Sequence, residues 1–168
     1  MSQGKLSGLV IDLRGNGGGL RTTLEGVLGQ FVTGQVGQFY SQQESYPFFI
    51  PKADLYDRLK SVPLVVLVDK GTISYAEVLS GVLQASKRAQ VVGVASLGNT
   101  ETIFPYDFED GSRAWVAQEG FRLTDGVNLE GRGVIPDRAS DKDWTQYTER
   151  NDPHIVEALN LLKGSSVR

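Results

Sequence analysis

The sequence predicts an α/β domain whose strands are buried beneath helices. Three observations predict it. The apolar runs Leu9-Val10-Ile11, Leu64-Val65-Val66-Leu67-Val68 and Val91-Val92-Gly93-Val94 lack polar alternation, as strands covered on both faces do. Stretches with helical apolar stripes lie between them. The chain of 168 residues, 40% hydrophobic and 22% charged, is long enough to bury one sizeable core.

Taken in order, residues 6–13 read as a buried strand that ends in Arg14-Gly15-Asn16-Gly17-Gly18-Gly19. A helix follows: Thr22 and Glu25 have capping-box spacing, Leu24, Val27, Leu28 and Phe31 form its stripe, and Gly34 stops it. Residues 36–40 alternate like a strand, 41–52 read as a surface excursion, and 54–59 as a short helix. The clearest strand, 64–68, turns through Asp69-Lys70-Gly71-Thr72 into a helix over 74–87 with Val78, Leu79, Val82 and Leu83 on its apolar side. Residues 91–94 are the next buried strand. Short strands follow near 102–107, 113–117 and 121–123, with turns at Asp110-Gly111 and Asp125-Gly126. The last helix starts at an Asp152 cap with Pro153 in its first turn, and packs through Ile155, Leu159 and Leu162. No interdomain linker is visible, so residues 1–168 read as a single domain.

Composition narrows the chemistry. The chain has no cysteine, which excludes disulfides, thiolate metal sites and a cysteine nucleophile. A single histidine, His154, argues against a histidine-based metal site; its place in the last helix reads as exposed surface. With net charge −3 and scattered Lys and Arg, a nucleic-acid partner is not expected. No apolar run reaches the roughly 18 residues of a membrane span. Met1-Ser2-Gln3-Gly4-Lys5 lacks the pattern of a signal peptide and passes at once into a strand, as a piece of a longer protein would. Twenty glycines, against about 12 at average usage, point to tight turns and close backbone approaches.

Two strand-to-helix turns carry the chemistry. The glycine turn Asp12-Leu13-Arg14-Gly15-Asn16-Gly17-Gly18-Gly19 can offer backbone N–H groups to an anion, reinforced by the helix that follows. It is neither a phosphate-binding Walker loop nor a dinucleotide fingerprint, because no Gly-Lys-Ser/Thr follows and Leu20 replaces the required small residue. The second turn is Gly71-Thr72-Ile73-Ser74-Tyr75-Ala76-Glu77. A serine at a helix start can present a nucleophilic hydroxyl beside the next residue's N–H, although serine is also a favoured cap. Ala76 stands where the Gly-x-Ser-x-Gly pentapeptide has its last glycine, against an α/β-hydrolase. Glu130, among turn residues, reads as an exposed carboxylate.

Together these turns resemble the C-terminal processing peptidases, or tail-specific proteases. The glycine turn is similar to the family's Asp-Leu-Arg-x-Asn-x-Gly-Gly signature, and the segment from Pro63 through Glu77 to its nucleophile segment. Lys87-Arg88-Ala89, Val92-Gly93, Gly131-Arg132-Gly133-Val134-Ile135-Pro136-Asp137 and Asp152-Pro153 with Ala158-Leu159 extend the likeness in order over about residues 8–163. The resemblance implies a Clp-protease/crotonase-like α/β fold with a mixed sheet, and an endopeptidase acting near protein C-termini. It implies Ser74 as nucleophile, Gly18 and Tyr75 N–H groups as the oxyanion hole, and Arg14 and Asn16 as supports of the glycine turn. A polypeptide substrate is the implied partner, no cofactor or metal is implied, and homo-oligomer formation stays open. An extracytoplasmic location is also a family trait; many members carry a peptide-binding PDZ module upstream, for which these 168 residues leave no room, so the chain reads as the C-terminal part of the catalytic core without that module or the upstream region.

One departure matters. The family's lysine base sits in Gly-Lys-Gly, and here the stretch is Gly98-Asn99-Thr100-Glu101, so a neutral amide replaces it. Tricorn core proteases, which are related, use Ser, His and Glu, with the Glu before a Gly-Val-x-Pro motif. Glu130 before Gly133-Val134-Ile135-Pro136 resembles that catalytic position, and the matching histidine would come from upstream of the glycine turn. Two other readings remain: a non-catalytic peptide-binding or scaffold domain of the same fold, and an anion or nucleotide site at the glycine turn.

Overall fold

The computed structural model describes residues 6–165; the first five residues, read above for a signal peptide, lie outside them. In chain order the first half runs β1 (Leu9–Asp12), α1 (Arg21–Leu28), β2 (Gly34–Tyr40), β3 (Ser45–Ile50), α2 (Tyr56–Leu59) and β4 (Leu64–Val68). The second half runs α3 (Tyr75–Ala85), β5 (Gln90–Gly93), β6 (Thr102–Asp107), β7 (Arg113–Leu123), β8 (Arg138–Ala139) and α4 (Pro153–Ser165). A 3-10 turn, Trp144–Gln146, precedes α4.

The unalternating apolar runs make a parallel sheet in the order β1-β4-β5-β8, with Val66 of β4 between Ile11 of β1 and Val91 of β5. All five residues of β4 are buried, as its position between two strands requires. Alternate β4 side chains feed two cores. Leu64, Val66 and Val68 join α1, α3 and the second sheet, whereas Val65 and Leu67 meet Ala158, Ile155, Leu161 and Leu162 of α4. The second sheet is antiparallel, in the order β3-β2-β7-β6. Its centre is fully buried Phe39, whose ring lies 5.0 Å from Phe48 and 5.1 Å from Phe121, both edge-on. Burying each such ring contributes roughly 1.5–3 kcal/mol, so this trio binds the second sheet to the helical layer. The α/β class is as the sequence predicts, and the mixed strand directions implied by the family resemblance are divided between a parallel and an antiparallel sheet.

The structure corrects several elements. Residues 45–50 are not excursion but the edge strand β3, with Phe48 and Ile50 turned inward and Phe49 outward. Pro47 hides this in the sequence, yet an edge strand tolerates the missing donor. Thr22 lies inside α1, whose cap residue is Leu20 without a side-chain cap bond, and the helix ends at Leu28 while Gly34 opens β2. The two strands predicted at 113–117 and 121–123 are one continuous strand, β7. On α4, Leu159 faces solvent at 46% exposure and Ala158 takes the buried place. Asp152 does cap α4, its Oδ1 accepting from the N–H groups of His154 (2.8 Å) and Ile155 (3.3 Å).

Candidate active site

Parallel strands β1 and β4 lie side by side, so the glycine turn and the Asp69–Ser74 turn emerge together at their carboxyl ends, the usual place for ligand sites in open α/β sheets. Hydrogen bonds zip the two turns together. Asp69 Oδ1 accepts from the N–H groups of Gly15 and Gly71, both at 2.9 Å, and its Oδ2 accepts from Trp144 Nε1 at 2.9 Å. Thr72 Oγ1 donates to the Leu13 carbonyl (2.8 Å), and Ile73 N–H to the Asn16 carbonyl (2.9 Å).

This pairing sets Ser74 against Gly18. Ser74 has φ 59° and ψ −130°, a backbone conformation that disfavours residues with a Cβ by about 1–3 kcal/mol. It caps α3, and Tyr75 supplies the helix's first N–H, which donates to no partner among the described residues. Gly18 has φ +96°, and a Cβ there would fall 2.7 Å from Ser74 Cβ and 3.1 Å from Ser74 Oγ. Glycine is required twice over. Gly18→Ala is expected to cost about 1–3 kcal/mol in urea unfolding; an unchanged midpoint would show that the turn simply yields. The Gly18 N–H donates to Asn16 Oδ1 at 2.9 Å, so in this state Asn16 holds that donor. Beside Gly18 opens an apolar cavity of about 220 Å³, walled by Ile11, Leu13, Leu20, Leu24, Val27 and Leu79.

The loop after β5 closes over the start of α3. Asn99 is exposed; its carbonyl accepts from Ser74 N–H (2.7 Å), and its own N–H donates to Glu77 Oε2 (2.8 Å). Fully buried Glu77 also accepts from Ser74 N–H (3.1 Å), Gly98 N–H (2.6 Å) and Ser96 Oγ (2.6 Å). Sequence reasoning missed Glu77, although Ser-x-x-Glu spacing at a helix start is a readable signal. Glu130 is half-buried rather than exposed, and its Oε2 accepts from the N–H (2.6 Å) and Oγ1 (3.0 Å) of buried Thr100. It is therefore joined to the same loop as Asn99.

Arg14 fastens the glycine turn to the far layer. It grips Asp12 through two nitrogens (2.9 and 2.6 Å), reaches Asp152 Oδ2 at 2.6 Å, and stacks 4.1 Å from the Trp144 ring centre. Burial pushes the Asp152 carboxyl up, but the Arg14 guanidinium and the His154 and Ile155 N–H groups outweigh this and hold it below the usual carboxylate range. His154, expected at the surface, is fully buried because the first turn of α4 faces the sheet, and neither ring nitrogen has a partner among the described residues. Burial, with the Arg14 charge, lowers its basicity below the ordinary histidine value despite Asp152, Asp12 and Asp69. The unfolded chain then binds a proton that the folded chain refuses. Stability is fully present above pH 6.5 and falls as pH drops below it, by up to about 1.4 kcal/mol per pH unit from this group. His154→Leu should flatten that slope between pH 6.5 and 5 in urea titrations; an identical slope would remove His154 as its source.

Ser74, Gly18, Tyr75, Asn16 and Asn99 thus share one locus, Glu130 adjoins it through Thr100, and Arg14 braces it from behind. Among the described residues no group of three or more His, Asp or Glu is placed to hold a metal ion, and no helix is long and apolar enough to cross a membrane.

The structure is a parallel-sheet α/β domain with a strained serine set between a glycine turn and a helix start. The chain belongs to peptidase family S41, which it matches over residues 1–140. It is 33% identical over 138 residues to the chloroplastic C-terminal processing peptidase of Tetradesmus obliquus, covering 82% of this chain and 29% of that protein. It is 28% identical to the carboxy-terminal processing protease CtpB of Bacillus subtilis, covering 96% of this chain and 36% of that one. The chain therefore spans about a third of the length of these relatives. The solved photosystem II D1 C-terminal processing protease superposes with a TM-score of 0.70 at 34% identity, over 80% of this chain and 35% of that one. The tricorn protease shares the fold, with a TM-score of 0.67 at 20% identity over 95% of this chain and 15% of that one.

Proposed function

We propose that residues 1–168 are the single-domain core of a serine endopeptidase that cleaves polypeptides near their C-termini, with Ser74 as nucleophile. The carrying observation is the Ser74 backbone, held at φ 59° against Gly18 at the start of α3. Ser74 Oγ attacks the peptide carbonyl carbon and the leaving amine departs with a proton. The resulting acyl-enzyme is then hydrolysed by water. The developing oxyanion takes the Tyr75 N–H, and the Gly18 N–H once it exchanges Asn16 Oδ1 for the substrate. The apolar cavity beside Gly18 accepts an aliphatic substrate side chain. Arg14 and Asn16 hold the glycine turn, and Glu130 orients a base. Names of relatives such as the chloroplastic peptidase favour an organellar or extracytoplasmic location.

Asn99 cannot accept the serine proton, and Glu130 is engaged by Thr100. The base accordingly comes from the remainder of the protein, as a histidine upstream would in a tricorn-like triad. The isolated 168 residues should hydrolyse an unstructured polypeptide at less than about a thousandth of the full-length rate. Robust Ser74-dependent cleavage by the piece alone would show that its base is already present. A fluorophosphonate probe on the full-length protein should label Ser74, read by peptide mass spectrometry; labelling elsewhere with Ser74 unmodified defeats the assignment.

Asn99 and the occupied Gly18 N–H favour a second reading, a peptide-binding domain without catalysis. Full-length protein that binds C-terminal peptides yet never cleaves them would select it.

A further inference from the structure

Arg21 has no part in the reading above, yet it sits where both turns meet. It is the first residue of α1, two positions after Gly19. Its guanidinium donates from Nε to the Tyr75 hydroxyl (3.2 Å), from Nη1 to the Tyr46 hydroxyl (2.9 Å), and from Nη2 to Glu119 Oε2 (2.5 Å). A longer contact joins Nη2 to Thr102 Oγ1 at 3.5 Å. The Tyr46 hydroxyl donates to the other Glu119 oxygen, and the Tyr75 and Thr102 hydroxyls share a 2.8 Å bond. Beneath the fork lies the Phe39 ring, 3.8 Å from the guanidinium carbon, and Phe39 meets the Tyr75 ring edge-on at 6.3 Å.

Burial works against the Arg21 charge, but the bonds it donates to Tyr75, Glu119 and Tyr46 more than offset it, so the basicity of the guanidinium is raised above its ordinary value. A planar fork satisfied this way has one orientation. It fixes the Tyr75 side chain, which is buried, from ring edge to hydroxyl. Tyr75 is also the residue whose N–H adjoins Ser74, while Gly18 lies just before Arg21 in the chain. Tyr46, Glu119 and Thr102 come from three strands of the antiparallel sheet, which contributes no reacting atom.

We propose that Arg21 is a positioning residue for the oxyanion site: holding the Tyr75 hydroxyl from the first turn of α1, it sets the separation of the glycine-turn and Tyr75 N–H groups. The proposal rests on the peptidase reading for its effect on rate, and on geometry alone for its effect on the turn.

The test is a double-mutant cycle in the full-length protein with Arg21→Lys, Tyr75→Phe and the pair. Lysine keeps a charge near Glu119 but cannot fork to both tyrosines. Phenylalanine keeps the ring and removes only the hydroxyl. Each single variant should lower kcat by about tenfold to hundredfold, part of what losing one oxyanion donor costs, with KM within about twofold. The pair should be no slower than the slower single variant, because both act through one bond. Wild-type kcat in either variant, a change in KM alone, or additive losses would overturn the proposal, and Ser74-dependent cleavage would still stand. If the full-length protein cleaves nothing, the peptidase reading fails, and amide NMR of glycine- and tyrosine-labelled protein decides the geometry. The Gly18 and Tyr75 resonances should both move beyond their linewidths in Arg21→Lys and in Tyr75→Phe; a stationary Gly18 resonance overturns it.

Discussion

Ser74→Ala in the full-length protein is expected to lower kcat by a factor on the order of 10⁶, the scale seen when a serine protease loses its nucleophile. Stability should move by less than about 0.5 kcal/mol, because alanine keeps the Cβ and hence the strain at φ 59°. Ser74→Gly should be equally inactive but more stable than Ser74→Ala. Glycine relieves a left-handed conformation worth about 1–2 kcal/mol, and returns only about 0.5–1 kcal/mol through the entropy of its unfolded chain. Urea unfolding of the pair reads the difference, and progress curves on an unstructured polypeptide read the rate. A glycine variant less stable than the alanine one would mean that the turn is not strained. Turnover surviving in both would remove Ser74 from the chemistry.

That pair separates what the sequence could tell from what it could not. The strands of the parallel sheet were legible because burial on both faces writes an unbroken apolar run, as in Leu64–Val68. Both turns were legible because their glycines and the serine have local signatures. Strand β3 was not, since Pro47 and a polar approach look like loop until the neighbouring strand β2 is in place to receive Phe48 and Ile50. Nor was the burial of His154: it lies outside the apolar stripe of Ile155, Leu159 and Leu162, and only the packing of α4 on β4 and β5 turns the first turn inward. Contacts across long stretches of chain, such as Arg14 with Asp152 or Arg21 with Glu119, leave no periodic trace. Glu77 lies between these cases, since its spacing from Ser74 is local but three of its donors belong to the loop after β5 or its approach.

Replacement of Glu77 is accordingly expected to have the largest effect on stability. Its side chain is fully buried and accepts four hydrogen bonds, two on each oxygen: Ser96 Oγ and Gly98 N–H on Oε1, Ser74 and Asn99 N–H on Oε2. Ser96 Oγ in turn accepts from Val134 N–H at 2.7 Å, which carries the network into the Gly-Val-Ile-Pro turn. Glutamine fills the same volume but replaces one acceptor by an NH₂ group. Whichever way it is turned, that group confronts two donors; the Ser74 N–H keeps the Asn99 carbonyl, so one or two donors lose their partner. At about 1–3 kcal/mol per buried donor, Glu77→Gln should cost about 1–5 kcal/mol in urea unfolding. Glu77→Ala takes the acceptor from Ser96 Oγ and from the Gly98 and Asn99 N–H groups and opens a cavity, and should fall at or beyond the upper end of that range. The damage is also local to the chemistry, because two of the four donors are the Ser74 N–H and the N–H of the residue whose carbonyl receives it. Any Glu77→Gln protein that remains folded should therefore react with the fluorophosphonate probe more slowly than the native protein. A variant with native stability and native labelling rate would show that the loop after β5 holds Ser74 without its carboxylate.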